Sequence, residues 1–166
     1  MSDTRSRTYE WQDPTPHVKE GLQMSGLEYM KALADGKFPA PPIAQTLNFN
    51  VDTVEEGLVI FTGEPTEYHY NPIGVVHGGF AATLLDSALG CAVHTTCPQG
   101  TGYTTMQLNV NYTRAITKDT GKLYCEAQVI HAGRQMATAE ATLKDENGKL
   151  YAHGTTTCLI FPLKSE

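Results

Sequence analysis

Apolar residues along this chain follow a helical period in two places and a strand-like period in six. From 17 to 35 the apolar positions Val18, Leu22, Met30 and Leu33, with Leu27 and Tyr29 between them, predict one amphipathic helix or two short ones interrupted at Ser25-Gly26, with Gly36 as the stop. Pro39, Pro41 and Pro42 then force an extended connection. Residues 43–52 and Leu58–Gly63 read as two strands flanking the turn Glu55-Glu56-Gly57. Residues 67–74, with Asn71-Pro72 as punctuation, read as a loop. The run from 80 to 93, F-A-A-T-L-L-D-S-A-L-G-C-A-V, has almost no polar face and predicts a helix buried on most sides.

Four strand-like stretches follow that helix. Residues 104–112 alternate, with Met106, Leu108, Val110 and Tyr112 on one face and Thr105, Gln107, Asn109 and Asn111 on the other. Residues 122–131 lead through an Ala132-Gly133 turn into 135–144, where Ala137, Ala139, Ala141 and Leu143 share a face small enough for a helix to lie close. Asn147-Gly148, the strongest hairpin signal in the chain, joins that strand to one over 150–161. Helix, two strands, one long buried helix and four strands, with no βαβ repetition, predict an α+β fold whose antiparallel sheet wraps a single helix.

The carboxylate of Asp86 breaks the apolar helix, nine residues after the first residue of His77-Gly78-Gly79. An ionised Asp in such surroundings costs on the order of several kcal/mol unless it is solvated, paired or hydrogen-bonded. It is either a helix-internal Asp satisfied by neighbours or a carboxylate facing an opening where substrate enters.

With 166 residues the chain has the size of one ordinary domain. Its formal charge of −6 argues against nucleic acid as the main partner, since phosphate backbones need clustered cations. No apolar run reaches the roughly 20 residues that span a bilayer, and the start M-S-D-T-R-S-R-T lacks a signal-peptide core, so a soluble, cytoplasmic protein without membrane partners is expected. Residues 1–16 are polar, carry Pro14 and Pro16, and are expected to be loose or draped over another element. Cys91, Cys97, Cys125 and Cys158 lack a C-x-x-C pair and read as free thiols. Cys91, His94 and Cys97 recur every third residue, yet zinc usually takes a fourth ligand and none lies nearby in sequence, so no metal is expected. No G-x-S-x-G elbow is present, and Cys91 with His94 as a nucleophilic pair would lie on a buried helix away from its start.

The string Y-N-P-I-G-V-V-H-G-G-F-A-A-T-L-L-D-S-A-L-G, starting at Tyr70, resembles the signature of the hotdog-fold acyl-CoA thioesterases, in the PaaI-like branch of the 4-hydroxybenzoyl-CoA thioesterase superfamily. G-L-E-Y-M-K-A-L-A-D-G-K-F-P-A-P-P-I-A, starting at Gly26, is similar to the lead-in of many bacterial PaaI-like proteins, and the four-strand tail matches the family's order. The resemblance covers about residues 20 to 162, and with the residue pattern it sets the expected organisation as a flexible segment at 1–16, a helical lead-in at 17–42 and a hotdog domain at 43–162.

That resemblance implies hydrolysis of acyl-CoA thioesters, aryl-acyl esters among the candidates, without metal or nucleotide cofactor. The rival of another class is an acyl-CoA-binding or sensing hotdog domain without turnover; a hotdog dehydratase would need an H-F-P-G type of motif that is missing here. Residue by residue, Asp86 matches the family's catalytic carboxylate, as base or as nucleophile, and Gly78 the glycine whose helix-start N–H polarises the thioester carbonyl. Asn71 and His77 match positions lining the thioester, though Asn71 also fits ordinary turn chemistry and His77 a helix cap. Thr105 matches a Ser or Thr that places the attacking water, but its parity puts it on the polar face of its strand, and only a bulge or a subunit interface would bring it in. Gly79, Arg134, Arg114 and Lys122 are the substrate-binding candidates, the three cations for the phosphates of coenzyme A. The family further implies a homodimer or homotetramer, with Asp86 of one chain facing Asn71, His77 and Gly78 of another.

Overall fold

A computed structural model describes residues 3–163; the first two residues of the expected 1–16 segment lie outside the described residues. The two predicted lead-in helices are separate, α1 (Thr15–Gly21) and α2 (Gly26–Ala34). Their break falls at Ser25 because its hydroxyl accepts the Glu28 N–H while the Glu28 carboxylate accepts the Ser25 N–H, a reciprocal cap that starts α2 afresh. Gly36 follows the C-cap with φ +73, as expected of its stop signal. Val18 and Leu22, expected on an apolar face, remain 52% and 40% exposed, and α1 buries nothing.

The expected strand over 43–52 is wrong in its first half. Helix α3 (Pro42–Leu47) comes first, and strand β1 runs over Phe49–Glu55. Pro42 occupies the first helical position, where its missing N–H costs nothing, and Asn48 ends the helix in the left-handed region at φ 55. The prolines that mark an extended connection thus also nucleate a short helix.

β1 pairs with β2 (Leu58–Gly63) across the predicted turn. Helix α4 (Gly78–Thr95) then crosses the sheet, followed by β3 (Thr101–Tyr112), β4 (Leu123–Ala132), β5 (Met136–Asp145) and β6 (Leu150–Pro162). The six strands form one antiparallel sheet in the order β1-β2-β4-β5-β6-β3, with α4 against its concave side. This is the hotdog arrangement. Ala137, Ala139, Ala141 and Leu143 are buried beneath α4, as their alternation predicts.

Burial along α4 explains where a polar residue can sit. Leu84, Leu85, Ala88, Leu89, Ala92 and Val93 are fully buried, whereas Ala82, Thr83, Asp86, Ser87 and Cys91 form a half-buried stripe at helical spacing. The lead-in docks close to this helix: the Gly26 N–H donates to Cys97 O at 2.9 Å, and a Cβ on Gly26 would lie 1.7 Å from His94 O. Any side chain there would push α2 away.

The loop before α4 is braced by His69. Its Nδ1 accepts the Thr66 N–H at 3.1 Å, its carbonyl accepts the His77 N–H at 2.8 Å, and its ring packs on Phe80. Nε2, which then carries the neutral ring's proton, is buried without a partner among the described residues, and a second proton would have to go on Nδ1, against the Thr66 N–H. Burial, with Arg7 nearby, lowers the His69 pKa from 6.5 to about 4. The unfolded chain therefore holds more protons than the folded one between pH 6.5 and 4, and stability rises with pH across that window. Acidification from 6.5 to 4 should remove ~1–3 kcal/mol through this group. Urea midpoints at both ends of the window should show a shallower loss in His69→Gln than in the wild type; parallel losses would assign the acid sensitivity elsewhere.

Candidate active site

Helix α4 starts where it does because of His77. Its backbone is extended (φ −60, ψ 137), and its Nδ1 accepts the Gly79 N–H at 2.8 Å. The Phe80 N–H is taken by His77 O at 2.9 Å, leaving the Gly78 N–H without an acceptor among the described residues. An unpaired N–H at the positive end of a helix is suited to a developing negative charge. Tyr112 closes over the same point: its hydroxyl donates to Gly78 O at 3.2 Å, and a Cβ on Gly78 would lie 3.2 Å from its ring.

Asn71 makes the turn that its Asn-Pro pair suggests. Its Oδ1 accepts N–H groups of Ile73 at 3.1 Å and Val75 at 3.3 Å, holding the loop that delivers His77. Both bland readings therefore describe contacts that exist, and neither consumes the Asn71 amide nitrogen or His77 Nε2 among the described residues.

Eight residues along α4 from Gly78, about 12 Å at the helical rise, Asp86 faces a different opening. Thr105 donates its hydroxyl to Asp86 Oδ1 at 3.1 Å, and Oδ2 has no partner among the described residues. The parity difficulty at Thr105 is resolved by a β-bulge. Thr105 opposes Cys158 and Gln107 opposes Thr157, so Met106 is an extra residue in β3. It is 66% exposed, not on the inward face with Leu108. The bulge switches the strand's phase, turning Tyr103 and Thr105 inward before it and Leu108 and Val110 inward after it.

The opening is a cavity of about 470 Å³ walled by Leu33 and Phe38 of the lead-in, Ile43 of α3, Val51 and Phe61 of the sheet, with Cys91 and Tyr103 beyond Asp86. Burial pushes the Cys91 thiol up to about 12 and the Tyr103 hydroxyl well above its ordinary 10, so both are neutral at pH 7. A thiol so far from ionising is not a nucleophile. His94 packs tilted against the rings of Tyr29 and Tyr103, the Cys97 sulfur lies 3.6 Å from Val93 O, and no set of three His, Cys, Asp or Glu side chains converges among the described residues.

The helix start lines a second, shallower cavity of about 400 Å³, shared by His77, Gly78, Tyr112 and Arg114. One chain thus brings Arg114 to the helix tip and Thr105 to Asp86, but keeps the two groups in separate openings. Arg134, in the β4–β5 turn, and Lys122, whose ammonium lies over the Tyr124 ring at 5.5 Å, line neither cavity. The pattern reading missed Tyr103 and the lead-in wall; Gly90 was the available signal, since a Cβ there would lie 2.9 Å from the Tyr103 ring.

A family model of the thioesterase superfamily matches residues 73–152, the stretch that holds Gly78, Asp86 and Thr105. Over that stretch the chain is similar to the thioesterase superfamily, and the stretch lies within the hotdog sheet and helix described above. The 1,4-dihydroxy-2-naphthoyl-CoA hydrolase of Listeria monocytogenes serotype 1/2a (strain 10403S) is 25% identical over 118 residues, 71% of this chain and 94% of that protein. Among solved structures, a phenylacetic acid degradation-related protein of Ralstonia eutropha JMP134 superposes with a TM-score of 0.71 at 28% identity, over 79% of this chain and 98% of that one. A Streptococcus mutans UA159 protein bound to acetyl CoA superposes with a TM-score of 0.63 at 27% identity, over 71% and 92%. The family match and these relatives together mark the chain as a thioester hydrolase. No described helix is long and apolar enough to cross a membrane.

Proposed function

We propose that the domain hydrolyses acyl-CoA thioesters, aryl-acyl esters included, with Asp86 as general base or nucleophile and the Gly78 N–H as the oxyanion donor. The observation that carries this reading is the Asp86 carboxylate, half-buried, open to an apolar cavity and held at one oxygen by Thr105. A thioester is already an activated acyl group, so a positioned carboxylate with one good donor suffices. The relatives bound to acetyl CoA or named as a CoA hydrolase support coenzyme A as the thiol half. Turnover is favoured over mere binding because a purely binding pocket has no use for an unpartnered carboxylate oxygen.

The separation of Gly78 from Asp86 within one chain supports a site completed by a second copy, in which the carboxylate of one protomer meets the helix tip of its partner. The half-buried stripe of Thr83, Asp86 and Ser87 and the edge strand β3 are the surfaces such a copy would cover. In that arrangement His77 supports the helix start, Asn71 orients the leaving group or the carboxylate, and Arg114 is the cation that shares the Gly78 cavity.

Thiol release from short-chain, medium-chain and aryl acyl-CoAs tests the function; an enzyme that binds these esters and frees no thiol from any of them contradicts it. Thr105→Val should lower kcat by about 10–100-fold, the worth of a hydrogen bond to a charged group, with KM little changed. Thr105→Ser should restore most of the rate. Equal losses in Val and Ser variants would mean that Thr105 acts by packing alone.

A further inference from the structure

Building on thioester hydrolysis at Asp86, we infer that the cavity beside it admits uncharged acyl groups and rejects those ending in a carboxylate, with Ile43 of α3 helping to set that preference. The lining contains no Lys, Arg or His among the described residues, and its one acidic side chain is Asp86 itself. A carboxylate on the far end of an acyl chain would be stripped of water against Leu33, Phe38, Val51 and Phe61, with no cation to meet it and a like charge near by. Tyr103 and Cys91 stay protonated there and add no charge of either sign. The volume, about 470 Å³, is that of a small-molecule pocket and exceeds what a catalytic water needs.

The wall that enforces this comes from outside the matched family stretch of 73–152. Pro41 and Pro42 start α3 so that Ala44 is buried at 4% exposure while Ile43, one residue earlier, stays 48% exposed and lines the cavity. Of the exposed large apolar residues among the described residues, Ile43 is the one that lines this cavity. Selectivity for the acyl group therefore draws on walls that precede the matched stretch, separate from the residues that act on the thioester.

Hexanoyl-CoA and adipoyl-CoA are the probes, since they differ by replacement of the terminal methyl with a carboxylate. For the wild type, kcat/KM should favour hexanoyl-CoA by about 100-fold or more. Ile43→Lys places an ammonium at a half-exposed position where its stem can lie along the wall, and should narrow that ratio by about tenfold through faster adipoyl-CoA turnover, whereas Ile43→Gln should not. Comparable wild-type rates on the two esters, or a ratio unmoved by Ile43→Lys, overturn the inference and leave thioester hydrolysis intact. Thiol release from aryl esters but not from hexanoyl-CoA overturns it as well, and no release from any ester overturns the hydrolase reading itself. The wild-type comparison stands even if the lysine variant fails to fold.

Discussion

Asp86→Asn should lower acyl-CoA hydrolysis by about 10²–10⁴-fold, the range that a positioned base supplies, while leaving the fold and the oligomeric state unchanged. The substitution is nearly isosteric. The amide oxygen can still accept from the Thr105 hydroxyl, so the 3.1 Å contact that fixes the side chain survives. What is lost is the ability of the second oxygen to take a proton from water or to attack the acyl carbon. KM should move little, because the apolar walls that hold the acyl group are untouched. A merely structural Asp86 predicts the opposite pattern, with a shifted melting temperature and turnover near that of the wild type. Thiol release alongside circular dichroism and sedimentation separates the two outcomes.

Much of this arrangement could be read from residues alone because it rests on local signals. The F-A-A-T-L-L-D-S-A-L-G run, the alternating alanines of β5 and Asn147-Gly148 each constrain the backbone within a few residues, and each element is found where its signal puts it. Asp86 stood out for the same reason, as one charge in an apolar helix. What stayed hidden depends on long-range packing. Pro41-Pro42 is compatible with both an extended segment and a first helical turn, and only the docking of Ala44 into the core decides for α3. The bulge at Met106 leaves no mark in the alternation of β3, since it is fixed by pairing with β6, and it is this bulge that turns Thr105 toward Asp86. The cavity wall joins Leu33, Phe38 and Ile43 to Val51 and Phe61 across four elements and a loop, a combination that no sequence window contains. Arg114 reaches the helix tip for a similar reason, because the chain just past β3 returns to the start of α4.

The second large effect follows from the roughly 12 Å that separates Gly78 from Asp86 on one helix. If hydrolysis needs the carboxylate of one protomer and the helix tip of another, a chain damaged at either place is inactive as a homo-oligomer, yet two differently damaged chains can rescue each other. Asp86→Asn disables the first group. Gly78→Leu disables the second by placing bulk against the Tyr112 ring, where even a Cβ comes within 3.2 Å. Random mixing makes half of all dimers mixed, and each mixed dimer holds one doubly damaged site and one intact site.

The decisive measurement is thiol release by these two variants, each confirmed as folded, alone and after refolding together in equal amounts. Each variant alone should show activity near background, and the mixture about a quarter of the wild-type rate. A mixture no more active than its components, although mixed oligomers have formed, would contradict a site in which Asp86 acts at a partner's helix tip.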